Sequence, residues 1–255
     1  MKIFPFGEGR TDKDIFDFLL EKCPPDVRFE DFYYVNGKDR FYNKIKIIVK
    51  TDLDSKADDI CILVFCDIDK GCKQEDVVNK FYTIFKKLMP EWDGKPMKHT
   101  AFGNIYLFEH ASCEERPGLR LVLHLADISG FELPEKIKKS NNTTDGYVLA
   151  AGLDKIVLNK FALKDAKTTE DKLRDLITEC ISSCFSNAGI IFEQDKDFLA
   201  AYLCASRFWV QHRTENARNL TQVIMSRSWK YNPKYFRDIF ATWIEAMTEA
   251  GGPTR

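Results

Sequence analysis

The chain is predicted to be α/β: a parallel sheet with flanking helices, followed by a mainly helical C-terminal domain. Three observations predict it. From residue 1 to about 125, short apolar runs alternate with longer stretches of helical periodicity, the pattern of βαβ crossovers. One run, Ile60-Cys61-Ile62-Leu63-Val64-Phe65-Cys66, is apolar throughout, as a strand buried on both faces of a parallel sheet must be. Beyond about residue 140 only the helical periodicity continues.

In order, Lys2 to Phe6 reads as the first strand. Pro5 lies within it and cannot donate to a ladder, so the strand is either bulged or paired over only part of its length. Thr11 with Asp14 predicts a capping-box start for a helix whose stripe is Ile15, Phe18, Leu19 and Cys23, stopped by Pro24-Pro25. Phe32 to Val35 is the second strand, closed by the turn signal Asn36-Gly37. A helix with Phe41, Ile45, Ile48 and Val49 on one face leads to the third strand, Ile60–Cys66. The next helix carries Val77, Val78, Phe81, Ile84, Phe85 and Leu88 and ends at Pro90. Ile105–Phe108 and Leu119–Leu125 are the fourth and fifth strands. The polar stretch Lys136–Gly146 marks a boundary, dividing the chain into residues 1–139 and 140–255. A helix is expected over Thr168–Phe185. Another follows the cap pair Asn232-Pro233, striped by Phe236, Ile239, Phe240, Trp243 and Met247. There is no internal repeat.

Composition narrows the classes. The chain has 255 residues, 44% hydrophobic and 30% charged, with a formal net charge of -1, so attraction to nucleic acid must be local rather than global. No apolar run reaches the roughly 18 residues of a membrane span and no signal-peptide segment opens the chain, so a cytoplasmic protein is expected. The eight cysteines include no CxxC pair, and none is spaced with His99, His110, His124 or His212 as a zinc site requires. They read as small buried side chains in a reducing compartment.

The chemistry gathers at strand ends. The third strand runs into Asp67-Ile68-Asp69-Lys70-Gly71. Side chains at i and i+2 share a face, so Asp67 and Asp69 project together from the strand's carboxyl end, where ligands sit in open α/β sheets. Two adjacent carboxylates repel unless a cation compensates. Either a divalent metal lies there or the two acids cap the following helix. Glu8 closes the first strand between Gly7 and Gly9, residues that permit close backbone approach. If the first and third strands are neighbours, Glu8, Asp67 and Asp69 converge as an all-oxygen set suited to Mg²⁺ or Mn²⁺. Lys70 and Lys73 follow the acids and are either phosphate contacts or solvated surface. Lys38 is a lesser phosphate candidate or an ordinary turn residue, Glu109 and Asp127 end predicted strands and either join the metal shell or are caps and surface acids, and His110 reads as a surface histidine.

A Glu-Gly after the first strand, an Asp-x-Asp with a following glycine after the third, and the βαβαβαβ order resemble the TOPRIM domain. That domain is shared by topoisomerases, bacterial primases, OLD-family nucleases and a small RNA-maturing ribonuclease. The resemblance covers roughly Met1 to Glu109. It implies a divalent-metal-dependent nuclease hydrolysing phosphodiester bonds in DNA or RNA, in phage defence or RNA processing, with Mg²⁺ or Mn²⁺ as cofactor. Glu8 would be a general acid/base or metal ligand and Asp67 and Asp69 metal ligands. Asp12, one helical turn after Glu8, matches a further acidic position of the nuclease branch. Nucleic acid is the expected partner, with a partner protein such as an ATPase as a further expectation. Arg10 departs from the lysine or variable residue that many members carry there, and Pro5 interrupts the strand. The alternative is a non-catalytic TOPRIM-like module that binds a protein or nucleic acid.

Between Ala200 and Arg237 lie seven basic residues and one acid, Glu215. Phe208, Trp209, Trp229, Tyr231 and Tyr235 are interleaved with them. Cations for phosphates and aromatics for bases suit nucleic acid, which makes Arg207, Arg213, Arg218 and Arg227 candidate contacts. The competing reading is a helical subdomain whose aromatics are core.

Overall fold

The chain's first apolar run extends as β1 (Lys2–Gly7), and the helix behind it, α1 (Arg10–Lys22), starts where Gly9 donates its backbone N–H to Asp12 Oδ2 at 2.9 Å. The expected box of Thr11 and Asp14 is thus replaced by a cap two residues earlier, and both residues lie inside the helix. The computed structural model describes residues 1–55, 58–69, 71–113, 117–134, 142–161, 179, 182–192, 196–202 and 220–252. Further along are β2 (Tyr33–Tyr34), α2 (Phe41–Ser55), β3 (Ile60–Cys66), α3 (Gln74–Leu88), β4 (Met97–Lys98), β5 (Ile105–His110) and β6 (Leu119–Leu125). Then come α4 (Thr144–Gly152), α5 (Lys155–Phe161), α6 (Ser182–Asn187), α7 (Leu220–Tyr231), α8 (Pro233–Ile239) and α9 (Ala241–Ala250). The protein is α/β, with a six-stranded, mostly parallel sheet flanked by helices and with helices in its C-terminal part.

The sheet order is β2-β1-β3-β6-β5-β4. The first four strands in that order are mutually parallel, whereas β5 runs antiparallel to both β6 and β4. The reversal has a simple cause. Only eight residues, 111–118, join β5 to β6, too few for the crossover that a parallel pair needs.

Pro5 is accommodated by partial pairing. Ile3 O accepts from Glu30 N and Gly7 O accepts from Val35 N, so the odd residues of β1 turn their polar groups toward β2. Pro5 falls between the isolated Ile3–Phe29 bridge and the Phe6–Tyr33 pair, where that neighbour makes no ladder. The Asn36-Gly37 turn forms as expected, with positive φ at both residues (54° and 116°).

Both faces of the sheet are covered, which is why every residue of β3 is buried. On one face Phe4, Phe6, Ile62 and Val64 pack with Phe41, Ile45 and Val49 of α2 and Phe81 and Phe85 of α3. On the other, Phe65 meets Phe16 of α1 and stacks on Trp243 of α9, ring centres 3.9 Å apart and planes 8° from parallel. Burying a ring pair of this kind contributes on the order of 1 kcal/mol beyond its area term.

The chain divides into two compact units, Met1–Ala126 with Ala241–Arg255, and Asp127–Phe240. The division differs from a single break at residues 139/140, because α9 belongs with the sheet. The expected last helix is two: Phe240 ends α8, and α9 begins at the next residue in the other unit. In the second unit Tyr147 packs against Phe131 and Phe240, and Tyr202 donates its hydroxyl to Gly152 O at 3.1 Å. Burial pushes the Tyr202 phenol's pKa up, partly countered by the nearby Arg227 charge. The helix expected over Thr168–Phe185 lies largely outside the described residues.

Candidate functional site

The pairing of β1 with β3 brings Glu8 and Asp67 to one carboxyl edge. Cys66 is the last residue of β3, and the chain stays extended past it, with Ile68 buried between the partly buried Asp67 and the exposed Asp69. Glu8 Oε1 accepts a hydrogen bond from the Asp67 backbone N–H at 3.1 Å and a weaker one from Cys66 Sγ at 3.3 Å. The strand end therefore fixes one Glu8 oxygen. Directly after Asp69 the chain turns back, Cys72 N donating to Asp69 O at 2.9 Å, with Gly71 at φ 85°. A side chain at that φ would be strained, which accounts for the glycine. α3 then starts behind Lys73, whose N–H is received by Asp76 Oδ2 at 3.1 Å. The helix is capped by Asp76, not by the Asp67/Asp69 pair.

Glu8, Asp67 and Asp69 share this edge without forming a closed cage. Among the described residues, the one trio of potential ligands whose donor atoms all lie within 4.8 Å of one another is His99, Glu245 and Glu249.

Asp12 is 4% exposed, and its Oδ2 holds the N-terminus of α1 through Gly9. Gly7 is explained by the same contact: a Cβ there would lie 2.6 Å from Asp12 Cβ and 2.7 Å from Phe32 Cζ. Gly7 is thus a packing requirement, and its φ is not positive. Around Gly9 there is open space. Lys70, Arg207, Arg213 and Arg218 lie outside the described residues. Arg227 is half-buried on α7 beside Tyr202. Trp229 makes an edge contact with buried Phe236, and Arg237 lies over its ring at 5.1 Å. Glu109 sits near the far end of β5, away from the carboxyl edge, because that strand is reversed. Asp127 Oδ1 accepts from Ser129 N at 3.0 Å in a local turn. His110 Nδ1 lies 2.7 Å from Ala111 O, the satisfied arrangement expected of it.

Sequence reasoning missed a polar cluster on the α9 face of the sheet. Arg120 of β6 is 2% exposed; its Nε lies 2.9 Å from Glu109 Oε1, and it donates through Nη2 to Glu249 Oε2 at 2.8 Å and through Nη1 to Gly252 O at 2.9 Å. Beside it, His99 Nε2 approaches Glu245 Oε1 (3.3 Å) and Glu249 Oε1 (3.6 Å). His99 Nδ1 accepts from two backbone groups, Ala101 N at 3.2 Å and Phe102 N at 3.1 Å. Those two donors place the ring's lone pair at Nδ1 and its hydrogen at Nε2, facing the carboxylates. A metal ligand needs the opposite arrangement. The trio is therefore a polar clasp between the turn that follows β4 and α9. Glu245 and Glu249, four apart on one helix, were its only sign in the sequence; His99 is too distant in the chain to have been paired with them.

His124 lies one strand position from the end of β6, packed at a tilt against Phe65 and Trp243, with Nε2 2.9 Å from Thr242 Oγ1. Burial lowers its pKa from 6.5 to about 3, so it is neutral. Burial likewise pushes the Cys61 thiol up to about 12, which fits an inert core cysteine.

Comparison with known proteins returns no match to a protein-family model, a curated protein or a solved structure. No helix among the described residues is long and apolar enough to cross a membrane.

Proposed function

We propose that the chain is a TOPRIM-like, divalent-metal-dependent nuclease that hydrolyses phosphodiester bonds in DNA or RNA, working at the edge formed by Glu8, Asp67 and Asp69. The observation that supports this best is the 3.1 Å hydrogen bond from Asp67 N to Glu8 Oε1, which ties acids of two neighbouring strands to one sheet edge. Carboxyl ends of parallel strands are where α/β proteins bind ligands.

The donor set suits Mg²⁺ or Mn²⁺, both of which take oxygen ligands. The three acids are not pre-gathered, but Mg²⁺ keeps several of its waters and is often held by only one or two carboxylates. Asp67 and Asp69 would hold the ion, with Glu8 beside them. When bound, such an ion supplies charge stabilisation and a more acidic water. Glu8, held at Oε1 by the strand end, is oriented to exchange a proton with water or a leaving oxygen. Asp12 serves the fold at this edge by capping α1 behind Glu8.

The second reading is a non-catalytic module for a protein or nucleic-acid partner, and the spacing of the three acids favours it. One experiment separates the two: single-turnover cleavage with Mg²⁺ or Mn²⁺ on tRNA, ribosomal RNA, plasmid and single-stranded DNA, with Glu8→Gln and Asp67→Asn/Asp69→Asn alongside. A nuclease should lose about 10²- to 10⁴-fold in rate in Glu8→Gln while keeping its affinity for nucleic acid. Metal should raise the melting temperature of the wild type but not of the double variant. Absence of metal-dependent cleavage on every substrate would favour the binding module.

A further inference from the structure

We propose that the sheet unit carries a second, separate site: a pocket for a phosphate monoester borne on an apolar or aromatic body. It does not depend on the nuclease reading. Tyr42, Lys46 and Lys50 fall at i, i+4 and i+8 of α2 and so line one face of that helix. Facing them across a cavity of about 600 Å³ is Lys87 of α3. These helices lead back toward the starts of the parallel strands, and Pro117, just before β6, closes the rim. The cavity therefore lies at the sheet edge opposite Glu8 and Asp67.

Charge is what sets it apart. Among the described residues, Lys46, Lys50 and Lys87 pair with no carboxylate. Lys46 and Lys87 both approach the Tyr42 ring, at 5.8 and 4.9 Å from its centre, which ties two ammonium groups to one side chain of the cavity wall. Helix-end electrostatics explains only one of the three, since Lys87 alone stands in the last turn of its helix. Among the described residues that line the cavity, the one acid is Asp54. Three lysines and one aspartate leave a formal charge of about +2, which a phosphate monoester, carrying about -1.5 to -2 at neutral pH, matches and a single carboxylate does not.

Size and lining supply the rest of the ligand. The volume falls within the roughly 300–1,000 Å³ of small-molecule pockets, more room than inorganic phosphate fills. Leu53 and Leu88 give an apolar wall for whatever carries the phosphate. A nucleoside monophosphate and the 5′-phosphorylated end of a strand both have this chemistry.

Calorimetric titration tests the site with AMP, adenosine, inorganic phosphate, and a short oligothymidylate with or without a 5′-phosphate. AMP should bind at least about tenfold more tightly than adenosine or phosphate, with affinity falling as salt rises. The variant Lys46→Gln/Lys50→Gln/Lys87→Gln should weaken AMP binding by tenfold or more with an unchanged melting temperature, and Lys46→Gln alone should show part of the loss. Lys44→Gln, which does not line the cavity, should bind as the wild type does. Tighter binding of the 5′-phosphorylated oligomer than of AMP would identify a strand end as the occupant, and the reverse order a free nucleotide. The proposal is overturned if no probe binds, if AMP binds no better than inorganic phosphate, or if the lysine variants bind undiminished.

Discussion

Replacing Arg120 with methionine would test what holds the last helix to the sheet. The substitution keeps an apolar stem of similar length on β6 and deletes the guanidinium that reaches Glu109, Glu249 and the Gly252 carbonyl. The three partners are not equal. The Glu109 side chain is 7% exposed and that of Glu249 21%, so water can rescue Glu249 but not Glu109. A buried pair broken on one side strands the remaining charge, which costs about 3–5 kcal/mol. Arg120→Met should therefore lose about that much in urea unfolding at neutral pH, against a total of about 5–15 kcal/mol for a domain. The double variant Arg120→Met/Glu109→Leu decides the cause. It removes the stranded carboxylate and should recover roughly half of the loss or more, since apolar replacements of buried pairs are often near neutral. Amide exchange along Ala241–Ala250 should quicken in the single variant. A loss below about 1 kcal/mol, or a double variant no more stable than the single, would refute the reasoning.

His124 makes stability pH-dependent with a definite sign. Its folded pKa is depressed from 6.5 to about 3, so the unfolded chain binds the proton more tightly; the contribution is complete above pH 6.5 and shrinks as pH falls toward 3. At pH 5 the wild type should have lost about 2 kcal/mol through this group, and His124→Leu should show a correspondingly flatter slope between pH 7 and 5. Parallel slopes for the two proteins would show that His124 is not buried as described. Gly7→Ala and Gly9→Ala should diverge despite being two residues apart. The first forces a Cβ to 2.6 Å from Asp12 and should cost about 1–3 kcal/mol, whereas the second enters open space and should stay within about 1 kcal/mol of the wild type by thermal unfolding.

The sheet's interior was legible because its residues answer to local rules. Ile60–Cys66 is apolar at every position since both of its faces are covered, and α2 and α3 announced their buried faces through Phe41, Ile45, Val49, Phe81 and Phe85. Glu8 and Asp67 could be placed at one edge because parallel neighbours end on the same side. What escaped depended on partners distant in the chain. The two-residue β4 has no periodicity to read, and its neighbour's reversal was visible only in the shortness of residues 111–118. Gly7 looked like a ligand-facing glycine, but the atoms that need its missing side chain belong to Asp12 and, farther along the chain, Phe32. Arg120 stood in an apolar strand with no local sign that Glu109 and Glu249 would meet it. The unbroken stripe from Phe236 to Met247 concealed the switch between units at Phe240, since all of its aromatic positions are buried on either side of that point.

The placement of α9 also fixes an order of events in synthesis. Phe65 and His124 emerge from the ribosome with the first half of the chain, yet Trp243, which covers them, follows more than a hundred residues later. Helices of Asp127–Phe240 can collapse on near neighbours while the sheet still shows one apolar face. Domains ordinarily finish in the order in which they are made. Here the first to begin must be the last to close, and through that interval the open face of β3 and β6 is a surface for chaperones, or for other nascent copies, to find.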